Sequence, residues 1–76
     1  MSVLPQVAGD RLVRALQKRG WTIVHQKGSH VVLRHPTDST RRTVIPVNKG
    51  HALHKGLLHA ILKEADVSPE QLRTLL

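Results

Sequence analysis

Residues 26–35 read QKGSHVVLRH, and the histidine inside this stretch is the side chain best placed to do chemistry. As a β-strand, the segment would send Val31 and Leu33 to one face with His35, and His30, Val32 and Arg34 to the other. If the two apolar residues face a core, His30 and Arg34 face water. A free imidazole titrates near about pH 6.5, so it can take or give a proton under ordinary conditions. Arg34 on the same face offers a guanidinium for a phosphate, and Lys27 adds a cation at the turn. Gly28 permits a positive φ or the close approach of a ligand, and Ser29 adds a hydroxyl and a backbone N–H. Together these residues make the parts of a candidate phosphodiester site, with His30 to move a proton and Lys27, Gly28, Ser29 and Arg34 to bind the phosphate. The plainer alternative is a hairpin with a solvated histidine, and six histidines in 76 residues weaken the meaning of any one of them.

The rest of the chain narrows the chemistry. His51 and His54, three apart at the start of a predicted helix, are a weak metal-ligand pair, because zinc sites usually take further protein ligands and no cysteine or neighbouring acid is there to help. His59 is expected on the polar side of the same helix. His25 and His35 are expected near each other across the first hairpin, in a packing role. No two carboxylates stand close together in the strands or loops to hold Mg²⁺, so two-metal cleavage is excluded and no cofactor is expected. A cleavage reaction would then draw on the substrate's own 2′-hydroxyl, which makes the substrate RNA. Trp21 is the one aromatic residue. A base-stacking sheet platform needs several.

These side chains have to be positioned by a small scaffold. GDRLVRALQKRGW places Leu12, Val13, Leu16 and Ala15 on one helical stripe, ended by Gly20, with Ala8 and Gly9 offering no capping side chain. Three strand-like segments follow, 21–26, 30–35 and 41–47, separated by Lys27-Gly28-Ser29 and by PTDST. Pro46 cannot donate to a ladder, so it belongs on an edge, as the third strand of a meander would be. ALHKGLLHAILKEAD carries Leu53, Leu57, Leu58, Ile61, Leu62 and Ala65 at helical spacing. SPEQL then supplies Ser68 as N-cap, Pro69 in the first turn and Gln71 to close a capping box, predicting a short helix over 69–75. The fold class is α+β, with a three-stranded antiparallel sheet and two helices on one face. The whole of 1–76 is expected to form one domain, with residues 1–6 loose.

Charge bears on the partner. Residues 1–63 hold eleven Lys or Arg against Asp10 and Asp38, a formal +9, while residues 64–76 carry −2, giving +7 for the chain. Such an imbalance concentrates polyanions near the surface, and nucleic acid is the first partner it suggests, although positive charge also simply keeps small proteins soluble. No apolar run approaches the roughly 18 residues of a membrane span. Cysteine is absent, so there is no disulfide framework. A soluble, cytoplasmic protein is expected, with no membrane partner.

GWTIVHQKGSHVVLRHP, TVIPV and LHKGLLHAILKEADVSPEQL together resemble the HicA (YcfA-like) toxin family, over about residues 9–76. The Gly-Ser-His element with its flanks is the most specific part. The resemblance implies a double-stranded-RNA-binding-domain-like α-β-β-β-α fold. It also implies a metal-independent endoribonuclease that cleaves mRNA, and inhibition by a HicB-type antitoxin. By position, the family's catalytic histidine falls on His30 and its supporting glycine on Gly28. Members usually close the second helix with glycine where this chain has Asp66, so that terminus is expected to close differently. The rival reading is a non-catalytic double-stranded-RNA-binding module of the same fold, although such modules gather several lysines at the start of the second helix and only Lys49 and Lys55 stand there. A third is a protein-interaction subunit that binds no nucleic acid.

Overall fold

The apolar stripe of the first amphipathic segment folds as α1 (Gly9–Lys18). The strand-like segments become β1 (Thr22–Lys27), β2 (His30–Arg34) and β3 (Arg42–Pro46), and two further helices follow, α2 (Lys55–Ala65) and α3 (Pro69–Leu75). This is a computed structural model, and it describes residues 4–48 and 50–76. Of the expected features, residues 1–3 of the loose end and Lys49 lie outside the described residues. The strands form an antiparallel meander in the order β1-β2-β3, so β2 is central and Pro46 lies on an edge strand.

One face of the sheet is covered. Val31, Leu33 and Ile45 join Leu12, Leu16, Leu58, Ile61, Leu62 and Leu72 in a single core, with Trp21 buried among them. Full burial of each large aliphatic side chain stabilises the fold by about 1.5–3 kcal/mol. Thr43 is the polar exception: it is buried, and among the described residues its Oγ1 has no hydrogen-bond partner. The helices rest on the β3 side of this face. β1 is left exposed along its whole length.

α1 is seated by a close approach that only glycine allows. A Cβ on Gly9 would lie 2.1 Å from the Pro46 carbonyl oxygen, so the first turn of α1 lies directly on the end of β3. Next to it, Ala8 bridges Ala52 and the Leu53 N–H donates to the Val7 carbonyl. Within the segment expected to be loose, Leu4 is half-buried and packs against the core, as an apolar side chain does where burial is open to it.

The short helix follows its sequence signal closely. Ser68 Oγ accepts from the Gln71 N–H at 3.1 Å, and the Gln71 side chain accepts from the Ser68 N–H at 2.9 Å. Leu72 is buried, Leu75 half-buried and Leu76 exposed. α2 departs from expectation in three respects. It begins only at Lys55, because His54 stops it: the ring Nδ1 accepts from the Gly56 N–H at 3.1 Å and caps the helix. Leu57, read as part of the apolar stripe, is 39% exposed. The third departure is at the far end, where Asp66 takes the left-handed conformation that glycine would (φ +57). The Asp66 N–H donates to Lys63 and the Val67 N–H to Leu62, the two bonds of a Schellman ending, so the terminus closes as glycine would close it. Asp tolerates this region better than most residues, and Arg41 binds the carboxylate at 3.3 Å and the Glu64 carbonyl as well.

Candidate functional site

Gly28 and Ser29 form a two-residue turn, and Lys27, expected in the turn, is instead the last residue of β1 and pairs directly with His30. Positive φ falls on Gly28 (+58) and not on Ser29, the pattern of a type II′ hairpin. Nothing lies within 4 Å of where a Gly28 Cβ would be, so it is backbone conformation rather than crowding that calls for glycine here. The Val47 N–H donates to the Ser29 carbonyl, which fixes the turn to the chain leaving β3. Val31 and Leu33, 4% and 0% exposed, hold β2 to the core, and His30 and Arg34 are exposed on the opposite side. The orientation expected from the alternation is the one found.

Cross-strand partners share a face, so the register gives the composition of the outer surface. It carries Thr22, His25 and Lys27 from β1, then His30, Val32 and Arg34, then Arg42, Val44 and Pro46. Lys27, Gly28, Ser29 and His30 are thus gathered around one turn. Arg34 stands at the other end of the strand, four residues from His30 and about 13 Å away at the usual rise per residue. At that separation one phosphate could not contact both His30 and Arg34 closely.

The sequence did not place two charged or titratable residues, Arg42 and His25, on this face. Arg42 pairs directly with Arg34. Like charges opposite each other are unfavourable, and neither arginine is paired with a carboxylate among the described residues. The meander together with the Arg42, Val44, Pro46 alternation carried that signal. His25 is the other, and no local signal would have found it. Ile23 pairs with Leu33 but His25 pairs with Val32, so Val24 is an extra, unpaired residue and the strand bulges there. Without the bulge His25 would sit on the inner side with Ile23.

The expected neighbourhood of His25 and His35 is therefore replaced. His35 lies beyond the end of β2, where its ring meets Trp21 edge-on with centroids 5.2 Å apart. Its Nδ1 accepts from the N–H groups of Thr37 and Asp38 at 3.1 and 3.0 Å. In the same loop the Thr40 hydroxyl, and then the Thr40 N–H, hold the Asp38 carboxyl below its ordinary value. His51 and His54 do not share a helix face either, since both precede α2 and the Nδ1 of His54 is occupied by its capping bond. His59 is exposed, as expected.

An α-β-β-β-α order with a third short helix, the inner face of β2 and β3 buried and the outer face basic around a histidine hairpin, defines a small cationic α+β protein. Residues 9–67 match the family model described as the HicA toxin of bacterial toxin–antitoxin systems. The chain belongs to the HicA toxin family and so to the toxin side of such a pair. The matched span takes in α1, the sheet and α2, and stops before α3. Among curated proteins nothing matches. No described helix is long and apolar enough to cross a membrane.

Proposed function

We propose that this toxin is a metal-independent endoribonuclease that cleaves mRNA in the cytoplasm, with His30 transferring a proton at the reacting phosphodiester. The observation that carries the reading is the placement of His30: exposed on the outer face, directly across from Lys27 and beside the open Gly28 turn. The outer face offers no carboxylate among the described residues to hold a metal-activated water, which favours attack by an oxygen of the substrate. In the step that follows, the ribose 2′-oxygen bonds to phosphorus while the P–O5′ bond breaks. The 2′-hydroxyl loses its proton and the departing 5′-oxygen gains one. The products are a 2′,3′-cyclic phosphate and a 5′-hydroxyl. Lys27 and the turn residues Gly28 and Ser29 steady the phosphate, and Arg34 holds the strand farther along. The same cationic face suits an acidic surface on a HicB-type antitoxin, which would silence the toxin by covering it. Residues 1–76 act in this reading as one domain.

The test is incubation of the purified chain with RNA in excess EDTA, next to His30→Ala. Cleavage that falls by about 10²–10⁴-fold in the variant, as for loss of a positioned acid or base, supports the reading. RNA that is bound and shifted but left intact by the parent points to a non-catalytic RNA-binding module instead.

A further inference from the structure

The bulge at Val24 does more than bend an edge strand. It turns His25 onto the same exposed face as His30. His25 stands opposite Val32 and His30 two residues before Val32, so the two histidines are diagonal neighbours across β1 and β2. Diagonal positions of an antiparallel pair lie about 7–8 Å apart, a span that admits one phosphodiester between the rings. Both side chains face solvent, and Lys27 lies between them in sequence and on the same face. The half-buried Val32 fills the ground beside them.

We infer that His25 is the second catalytic residue, the proton-transfer partner of His30. The inference rests on the ribonuclease reading above and deepens it. Transesterification at an RNA phosphodiester needs two proton movements. One proton leaves the 2′-hydroxyl as its oxygen bonds to phosphorus, and one arrives at the 5′-oxygen as the P–O5′ bond breaks. A single imidazole placed for the first is poorly placed for the second, because the entering and leaving oxygens lie on opposite sides of phosphorus. Two imidazoles on one face can divide the work: the neutral ring accepts the 2′ proton, and the protonated ring gives its own to the 5′-oxygen. Afterwards each ring holds the proton state the other began with, and exchange with water restores both. No metal, oxidant or further reactant enters the balance. Which ring plays which part is assigned by the variant that loses the limb of the pH profile below the optimum, since that variant has lost the base.

The experiment follows cleavage of a short RNA by the full chain in EDTA, from about pH 5 to about pH 9, a range that brackets an imidazole pair. It compares the parent with His25→Ala, His25→Gln and His30→Ala, with circular dichroism as the check on folding. The expected result is a bell-shaped parent profile, a rate lower by about 10²–10⁴-fold in both His25 variants, and loss of one limb. His25→Gln keeps the bulk on the edge strand, so a loss shared with His25→Ala is not one of bulk, and the missing limb assigns it to the ring's proton chemistry. A His25→Gln protein that cleaves at the parental rate overturns the inference. So does one that is slower but retains both limbs, because that loss is structural. An active parent with an indifferent His25 sinks this inference alone, whereas an inert parent sinks the ribonuclease reading and takes this one with it.

Discussion

On the inner face of the sheet Val31, Leu33, Thr43 and Ile45 are each at most 4% exposed, and the helices close over them. Directly behind, on the outer face, the same strands carry His30, Arg34 and Arg42 in the open, with Val44 47% exposed among them and His25 and Lys27 beside them. The inner residues are explained by burial. The outer ones are not, since an exposed valine gains little from folding and two arginines set opposite each other repel. Neither packing nor pairing accounts for that surface, and the proposed RNA contact would.

That contrast can be broken or sharpened by substitution. The largest effect on stability is expected inside: Leu33→Ala should lower the unfolding free energy by about 2–5 kcal/mol in urea titration. His30→Ala, three residues earlier on the same strand, should stay within about 0.5 kcal/mol of the parent. Equal losses at the two positions would mean that the outer face is structural after all. A middle-sized effect belongs to the arginine pair. Arg34→Ala and Arg42→Ala should each flatten the dependence of log affinity for RNA on log salt by about 0.7–0.9, the share of one phosphate contact. Each should also leave stability unchanged or slightly raised as the repulsion is relieved. Unaltered salt slopes would remove this end of the face from the binding surface.

The smallest effect is expected in the β2–β3 loop, which belongs to neither face. There Thr40 holds the Asp38 carboxyl below its ordinary value, so the folded state binds the proton less tightly than the unfolded chain does. The resulting stabilisation is fully present above the unfolded carboxylate range and disappears as the pH falls through the folded value. Thr40→Ala should therefore lower the melting temperature slightly at neutral pH, with the difference vanishing in acid. A gap that grows on acidification would contradict the sign.

Much of this arrangement could be read from the chain. Ser68 and Gln71 announced α3 because capping is local chemistry, and Pro46 announced an edge because a missing N–H has nowhere else to go. The outward turn of His30 followed from Val31 and Leu33, since alternation along a single strand needs no knowledge of its partners. What escaped depends on the partners. Ile23 and Val24 are adjacent apolar residues in an edge strand, and nothing in TIVHQK says which of them is surplus, so the face taken by His25 is decided only by pairing with β2. The late start of α2 is similar: Ala52 and Leu53 carry the helical pattern but are drawn off to bond with Ala8 and Val7. Asp66 escaped because its left-handed backbone is supported by Arg41, which lies 25 residues earlier in the chain.

The bare condition of β1 has a consequence for how firmly the two halves of the outer surface are held. β2 is laddered on both sides, so its amide protons become available to solvent only through openings that disturb β1 or β3 as well. β1 is laddered on one side and uncovered above and below, which places it at the low end of the range of local opening energies. His30 and Arg34 thus ride on the stiffest strand of the sheet, and His25 and Lys27 on the most yielding. A polymer laid across them meets one fixed support and one that can adjust to it.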